Sequence, residues 1–195
     1  MIRLFDFFFS MLGLVFLFPV FLLIFIIIRI DSRGGAFYFQ SRVGKGGTEF
    51  RLVKFRTMRV DADKSGGLTI GARDHRITRS GFILRKYKLD ELPQLINVLT
   101  GDMSLVGPRP EIRKYTELYT AEQRKVLSVR PGITDYASIE YIDENELLGR
   151  SANPEKTYIE VIMPAKIKLN MRYIDHQTIG VYFRILGLTV LRIFR

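Results

Sequence analysis

LDELPQLINVLTGDMSLVGPRP, residues 89–110, is the stretch on which the fold turns. Leu89, Leu92, Leu95, Ile96 and Leu99 recur at helical spacing, and Gly101 ends the pattern. Proline is tolerated only in the first turn of a helix, so Pro93 places the predicted helix start at about Asp90. Both Asp90 and Glu91 then sit at the positive end of a helix, which favours their ionised form and attracts phosphate. An ionised aspartate is a competent nucleophile toward phosphorus, but two anions repel as they approach. Glu91 is suited to hold Mg²⁺, which takes one or two carboxylates together with substrate phosphate oxygens. Arg85, Lys86 and Lys88 lie just upstream as further phosphate ligands. Taken alone, an Asp-Glu pair at a helix start is more often ordinary capping.

Working outward, Gly107-Pro108-Arg109-Pro110 fixes the backbone on both sides of one arginine and pre-orients it for a phosphate or carboxylate. Arg130-Pro131-Gly132-Ile133-Thr134 repeats the device before a tight turn. Taken in isolation, each reads more readily as a stiff surface loop. A helix is expected from about Glu111 to Leu127, and further helices toward the C-terminus. Upstream, residues 36–40 and 49–55 read as two strands around the Gly44-Lys45-Gly46-Gly47 turn, a β-hairpin. Residues 61–80 are polar with little periodicity and read mostly as loop. Lys54-Phe55-Arg56 and Asp74-x-Arg76-x-x-Arg79 add basic groups, whose plain reading is a solvated or lipid-facing surface. The sum is an α+β domain, mainly helical.

The chain has 195 residues and a net charge of +10, from 30 Lys+Arg against 20 Asp+Glu. A small basic chain first suggests nucleic-acid binding. The charge is not spread that way: residues 31–88 hold 14 basic and 5 acidic residues, and residues 89–195 hold 14 of each. No base-stacking or groove-reading element accompanies the basic stretch. The absence of cysteine excludes disulfides, thiolate zinc and a cysteine nucleophile. His75 and His176 are too far apart for a local two-histidine metal motif, and no Walker or G-x-G-x-x-G loop is present. Catalysis is left to carboxylates, an oxygen-bound metal and basic side chains.

The basic stretch follows an intensely apolar one. From Phe7 to Ile28 run 22 consecutive uncharged residues, and about 20 suffice to cross a bilayer as a helix. Pro19 near the middle favours a kink. Arg3 on one flank and Arg29 and Arg33 on the other give positive charge no preferred side. A spanning anchor and a re-entrant helix broken near Pro19 stand close to even on the residues. Residues 179–195 contain no acidic residue, and Arg184, Arg192 and Arg195 fall near one helical stripe. That helix suits either a membrane interface or the closing of the core. The expected division is a membrane-embedded helix over residues 1–30 and a catalytic domain over 31–195.

Several runs together carry a resemblance. Asp74-His75-Arg76-Ile77-Thr78-Arg79-Ser80-Gly81 with Leu84-Arg85, the unbroken stretch 89–110, Lys54-Phe55-Arg56-Thr57-Met58 and Arg130-Pro131-Gly132-Ile133-Thr134 all occur in order. The chain resembles the bacterial sugar transferase family, the small monotopic phosphoglycosyl transferases. The resemblance implies an enzyme of the bacterial inner membrane, with its catalytic domain on the cytoplasmic face. It would move a sugar-1-phosphate from a UDP-sugar to polyprenyl (undecaprenyl) phosphate and release UMP, with Mg²⁺ as cofactor. It makes Asp90 the nucleophile of a covalent phospho-sugar intermediate and Glu91 the metal-associated carboxylate. Arg85 falls on a phosphate-linked basic position, Arg109 in a Pro-Arg-Pro motif, and Lys54 and Arg130 are weaker candidates for phosphate or nucleotide contact. It also implies a re-entrant N-terminal helix broken at a proline, and amphipathic helices at the interface.

Two positions depart from the family pattern. Phe18 stands before Pro19 where a serine is common, and cannot offer a hydroxyl to the broken backbone. Residues 135–142 replace a segment in which many members carry a tryptophan and a terminal arginine, with Tyr136 in the tryptophan's place. Nucleotide and sugar contacts therefore do not transfer across this region, although Tyr136 can stack a uracil. The contrasting reading is a non-catalytic adaptor whose basic segment binds anionic lipids. The partners expected are a UDP-sugar, the lipid phosphate and the membrane, without nucleic acid, and a homo-oligomer is compatible with the sequence.

Overall fold

The computed structural model describes residues 1–60, residue 62 and residues 74–193. The loop expected over 61–80 falls largely outside them, as does Arg195 of the C-terminal stripe. The chain opens with α1 (Ile2–Asp31), whose 30 residues include Pro19. At about 1.5 Å per residue it is roughly 45 Å long. Helical structure runs through Pro19 instead of stopping there. The helix is apolar and mostly exposed: Val15 and Phe16 are 67% and 72% accessible. Residues Ile2–Asp31 are long and apolar enough to cross a membrane.

Two polar latches hold α1 to the rest of the molecule. Near its start, Arg3 donates to the carbonyls of Val98 and Leu99. Asp6, fully buried, accepts from Ser104 Oγ at 3.0 Å, the Leu105 amide at 2.9 Å and Tyr182 OH at 2.9 Å. At its other end Asp31 accepts from the amide and hydroxyl of Ser80, at 2.9 and 2.7 Å. Ile24 and Ile28 pack between the latches with Ala36, Phe55 and Leu84. Both ends of the helix are thus bonded to one and the same domain.

The hairpin forms as expected, from β1 (Phe37–Val43) and β2 (Glu49–Phe55), antiparallel with Phe37 opposite Phe55 and Val43 opposite Glu49. β1 runs three residues beyond the predicted strand. Next comes α2 (Arg79–Lys86), whose amide of Gly81 is capped by the Thr78 hydroxyl. Leu89–Glu91 then form a separate 3₁₀ turn, and α3 (Gln94–Thr100) begins only after Pro93. This corrects the helix predicted from Asp90. Lys88 has a positive φ of 56°, which breaks the chain direction just before the carboxylates. The pair therefore precedes the helix instead of sitting in its first turn.

β3 (Ser104–Val106) pairs in parallel with β4 (Gly132–Thr134), where only a turn was expected at Pro131-Gly132. A Cβ on Gly132 would lie 2.0 Å from the Gly107 nitrogen, so this pairing needs glycine at the contact. The helix expected from Glu111 to Leu127 is divided. α4 (Arg113–Thr116) stops, and a 3₁₀ segment follows at Gln123–Ser128. The cause is local: Thr120 and Gln123 form a reciprocal capping pair, each side chain bonded to the other's backbone amide.

α5 (Tyr136–Glu140), α6 (Glu144–Gly149) and α7 (Pro154–Thr157) lead through a π-helical turn into α8 (Met163–Asp175). α9 (Ile179–Ile193) ends the chain. It closes the core and also presents an apolar outer face. Tyr182 and Ile185 are fully buried with Val106 and Tyr173, whereas Val190 and Leu191 are 53% and 66% exposed.

Candidate active site

Two short elements place the carboxylates against the hairpin. Asn97 of α3 bonds the edge of β2 with both ends of its amide: it accepts from the Val53 amide at 2.9 Å and donates to the Arg51 carbonyl at 2.8 Å. Leu52 and Lys54 lie two residues apart on β2 and so share a face. Leu52 packs on Val98 and Met103, and Lys54 Nζ reaches Glu91 Oε1 at 3.2 Å. From the other side, Arg109 forks onto Glu91: Nη1 donates to Oε2 at 3.0 Å and Nη2 to Oε1. The Arg109 loop is itself pinned, because its backbone amide donates to Asp135 Oδ2 at 3.0 Å.

Asp90 is placed differently. It is 8% exposed, and among the described residues no hydrogen bond or ion pair engages its carboxylate. It forms part of the wall of a pocket of about 460 Å³ that also takes in Arg42, Lys54, Arg56, Arg59, Arg76 and Arg85. Among the described residues, six cations and one carboxylate thus line the same pocket. Arg85 is held by its Nε, which donates to Thr57 Oγ1 at 2.9 Å. Arg76 is forked onto Asp74, whose carboxyl it pulls down to about 2.

The two neighbouring carboxyls are driven in opposite directions. Burial pushes Asp90 up, and the charge of Glu91 adds to that, outweighing Lys54 and Arg85. For Glu91 burial also pushes upward, but the charges of Arg109 and Lys54 prevail and hold it well below the ordinary range. Arg109 is correspondingly raised by Glu91, and Lys54 is lowered by burial. A positive helix end was expected to favour ionisation of both. With the pair on a turn ahead of α3, burial decides Asp90 and ion pairing decides Glu91.

The structure brings Asp90, Glu91, Lys54, Arg85 and Arg109 together. It does not add Arg130, whose Nε donates to the Gly101 carbonyl at the end of α3, at 2.9 Å. Four contributors were missed by the sequence reading. Tyr38, Gln40 and Arg42, spaced two residues apart, share one face of β1, with Tyr38 opposite Lys54 in the register, and all three line the pocket. The signal was period-two alternation in a strand already recognised. Asp135, fully buried, caps α5 through the Ser138 amide while it holds the Arg109 loop. An aspartate three residues before a serine at a helix start carried that signal.

Among the described residues no group of three or more metal-binding side chains occurs. The donor chemistry fits the sparser Mg²⁺ mode, in which one or two carboxylates share the ion with phosphate oxygens. Arg109 and Lys54 favour the charged form of Glu91, the carboxylate that would share such an ion.

Residues 1–195 match the bacterial sugar transferase family. An exopolysaccharide production protein, PSS, of Rhizobium leguminosarum bv. phaseoli is 37% identical over 196 residues, covering 96% of this chain and 92% of the relative. An uncharacterized sugar transferase of Bacillus subtilis (strain 168), EpsL, is 38% identical over 167 residues, covering 86% and 74%. A UDP-glucose:undecaprenyl-phosphate glucose-1-phosphate transferase of Xanthomonas campestris pv. campestris is 35% identical over 188 residues; the match covers 94% of this chain but 37% of that longer protein. The match over the full length, joined to a site in which a buried aspartate faces a basic pocket, shows that the chain belongs to the bacterial sugar transferase family.

Proposed function

We propose that the enzyme moves a sugar-1-phosphate from a UDP-sugar to polyprenyl phosphate in two displacements through Asp90. In the first, an Asp90 carboxylate oxygen attacks the sugar-bearing phosphorus and the bond to UMP breaks, so that UMP leaves. In the second, an oxygen of the lipid phosphate attacks the same phosphorus, and the bond to Asp90 breaks and restores the carboxylate. Dividing the transfer spares two anionic substrates a direct encounter. The observation that carries this reading is the contrast within the pair: Glu91 is bonded through both oxygens, and among the described residues neither oxygen of Asp90 is engaged.

Lys54 and Arg85 lie where charge accumulates on the reacting phosphate and offset it. Arg109 orients Glu91, the residue that would hold Mg²⁺ with substrate oxygens. When bound, that ion supplies Lewis-acid neutralisation of phosphate charge. One substrate is a lipid, so the pocket must work at a membrane surface. The two latched ends of α1 support a re-entrant helix, because a straight span with both ends on one domain would require that domain on both faces. The expected place is the cytoplasmic face of the bacterial inner membrane. A passive adaptor has no use for a buried, unbonded carboxylate, which costs stability without contributing to lipid binding.

The test is UMP release across a panel of UDP-sugars with undecaprenyl phosphate and Mg²⁺. Turnover with at least one sugar, abolished in Asp90→Asn, is expected. Undiminished turnover in that variant would remove Asp90 from the mechanism.

A further inference from the structure

Arg56 is buried, and among the described residues it has no acidic partner. It is 9% exposed. Its Nη2 donates to the Ser32 carbonyl at 3.1 Å and the Ser32 hydroxyl at 3.0 Å. Its Nε is buried with no acceptor at all. The charge felt most nearby is a like one, Arg29 of the last turn of α1. Arg29 is exposed, and its Nη1 donates to the Gly34 carbonyl at 3.1 Å. Two guanidiniums therefore gather around residues 32–34 and, among the described residues, have only neutral oxygens as partners, an arrangement that calls for an anion.

The place is informative. Arg56 lines the same pocket as Asp90, together with Gly34, Arg59 and Val60. Arg56 reaches Ser32, the residue just past the end of α1, so it marks the α1 side of the pocket. That end adjoins the C-terminus of the apolar helix, where Ile30 is 81% exposed, and Val60 beside Gly34 is 58% exposed. Gly34, with φ +107°, leaves room for the guanidinium: a Cβ there would lie 2.1 Å from Arg56 Nη1. A basic pair beside exposed apolar side chains fits a phosphate monoester on a hydrocarbon chain.

We infer that Arg56 and Arg29 form the capture site for the phosphate of the lipid acceptor, at the membrane end of a two-ended pocket whose other end is Asp90. The inference rests on the two-step reading given above and names where the second substrate docks. The UDP-sugar is handled at the Asp90 end by Lys54 and Arg85, and the lipid phosphate reaches the phospho-sugar from the α1 end. Arg56 binds the second substrate in this scheme and touches no reacting atom of the first step.

Steady-state and burst kinetics of Arg56→Gln, and of Arg29→Gln at an exposed site where folding is not at stake, test this. The expected result is an acceptor KM raised about tenfold or more in each variant. The UMP burst measured without acceptor and the KM for the UDP-sugar should stay within about twofold. An unchanged acceptor KM in both variants would overturn the inference. So would a burst that falls together with the melting temperature, which would reduce Arg56 to a cap of α1. A third contrary result is an acceptor KM restored by phosphatidylglycerol vesicles that equalise membrane binding, since the pair would then serve bulk anionic headgroups. Absence of any burst in the unaltered enzyme would instead strike the two-step reading itself.

Discussion

Glu91 and Arg109 meet across 18 residues of sequence through a two-nitrogen fork, while Lys54 closes on the same carboxylate from the hairpin. The geometry depends on the planar guanidinium, and an ammonium at that position can make only one of the two bonds. Arg109→Lys should therefore keep the fold and lower kcat/KM by about tenfold or more. Arg109→Ala leaves Glu91 with Lys54 alone. The cost should be about 2 kcal/mol, below that of a fully buried pair, because the Arg109 side chain is 33% exposed. Chemical denaturation beside UMP-release kinetics separates the two effects.

Asp90 carries a second prediction, about pH. Its carboxyl is held above the ordinary value by burial and by Glu91, and the attacking species is ionised. Burst rate should rise with pH through this elevated pKa and fall away below it. Arg85 favours the ionised form, so Arg85→Gln should move the acid limb to higher pH. The same shift acts on stability. A carboxyl that binds its proton more tightly when folded lowers stability once pH exceeds the unfolded value, with the full cost above the folded pKa. Asp90→Asn should then melt at or above the temperature of the unaltered protein at neutral pH, while losing activity.

The contact of β3 with β4 yields a third. Gly107 and Gly132 approach backbone to backbone, and a methyl group on Gly132 meets the Gly107 nitrogen, carbonyl and Cα together. None of these is a flexible side-chain end. Gly132→Ala should cost about 3 kcal/mol and loosen the Arg109 loop, with the melting temperature as readout. A stable, active Gly132→Ala protein would contradict the tight pairing.

The two latches of α1 give a topological prediction. The chain has no cysteine, so single cysteines at residues 2 and 32 can be labelled without background. Both should react with a membrane-impermeant reagent from the cytoplasmic side. Labelling from opposite sides would show a spanning helix and break the argument from Arg3, Asp6 and Asp31.

What the chain disclosed in advance was what short-range pattern carries. The hairpin followed from alternating residues around glycines, and the apolar helix from its unbroken run. Asp90, Glu91, Lys54, Arg85 and Arg109 followed from their motifs. What stayed hidden was non-local. Nothing near Gly132 reveals that it pairs with residues 104–106, because the partner lies some way back in the chain. Asp6 reads as a lone charge beside an apolar run until Ser104 and Tyr182 are seen around it. The helix start at Asp90 failed for a local reason: positive φ at Lys88 separates the carboxylate turn from α3. Arg130 reads as a weaker phosphate candidate beside Arg109, and its Nε donates to the Gly101 carbonyl at the end of α3.

The central claim is a covalent bond to Asp90, and its most direct measurement is mass spectrometry of the enzyme quenched after exposure to a turned-over UDP-sugar and Mg²⁺ without lipid acceptor. The account predicts a sugar-phosphate adduct on the peptide carrying Asp90, formed with UMP release, discharged by polyprenyl phosphate and absent from Asp90→Asn. UMP release that occurs only when the acceptor is present, with no adduct at any time, would contradict it.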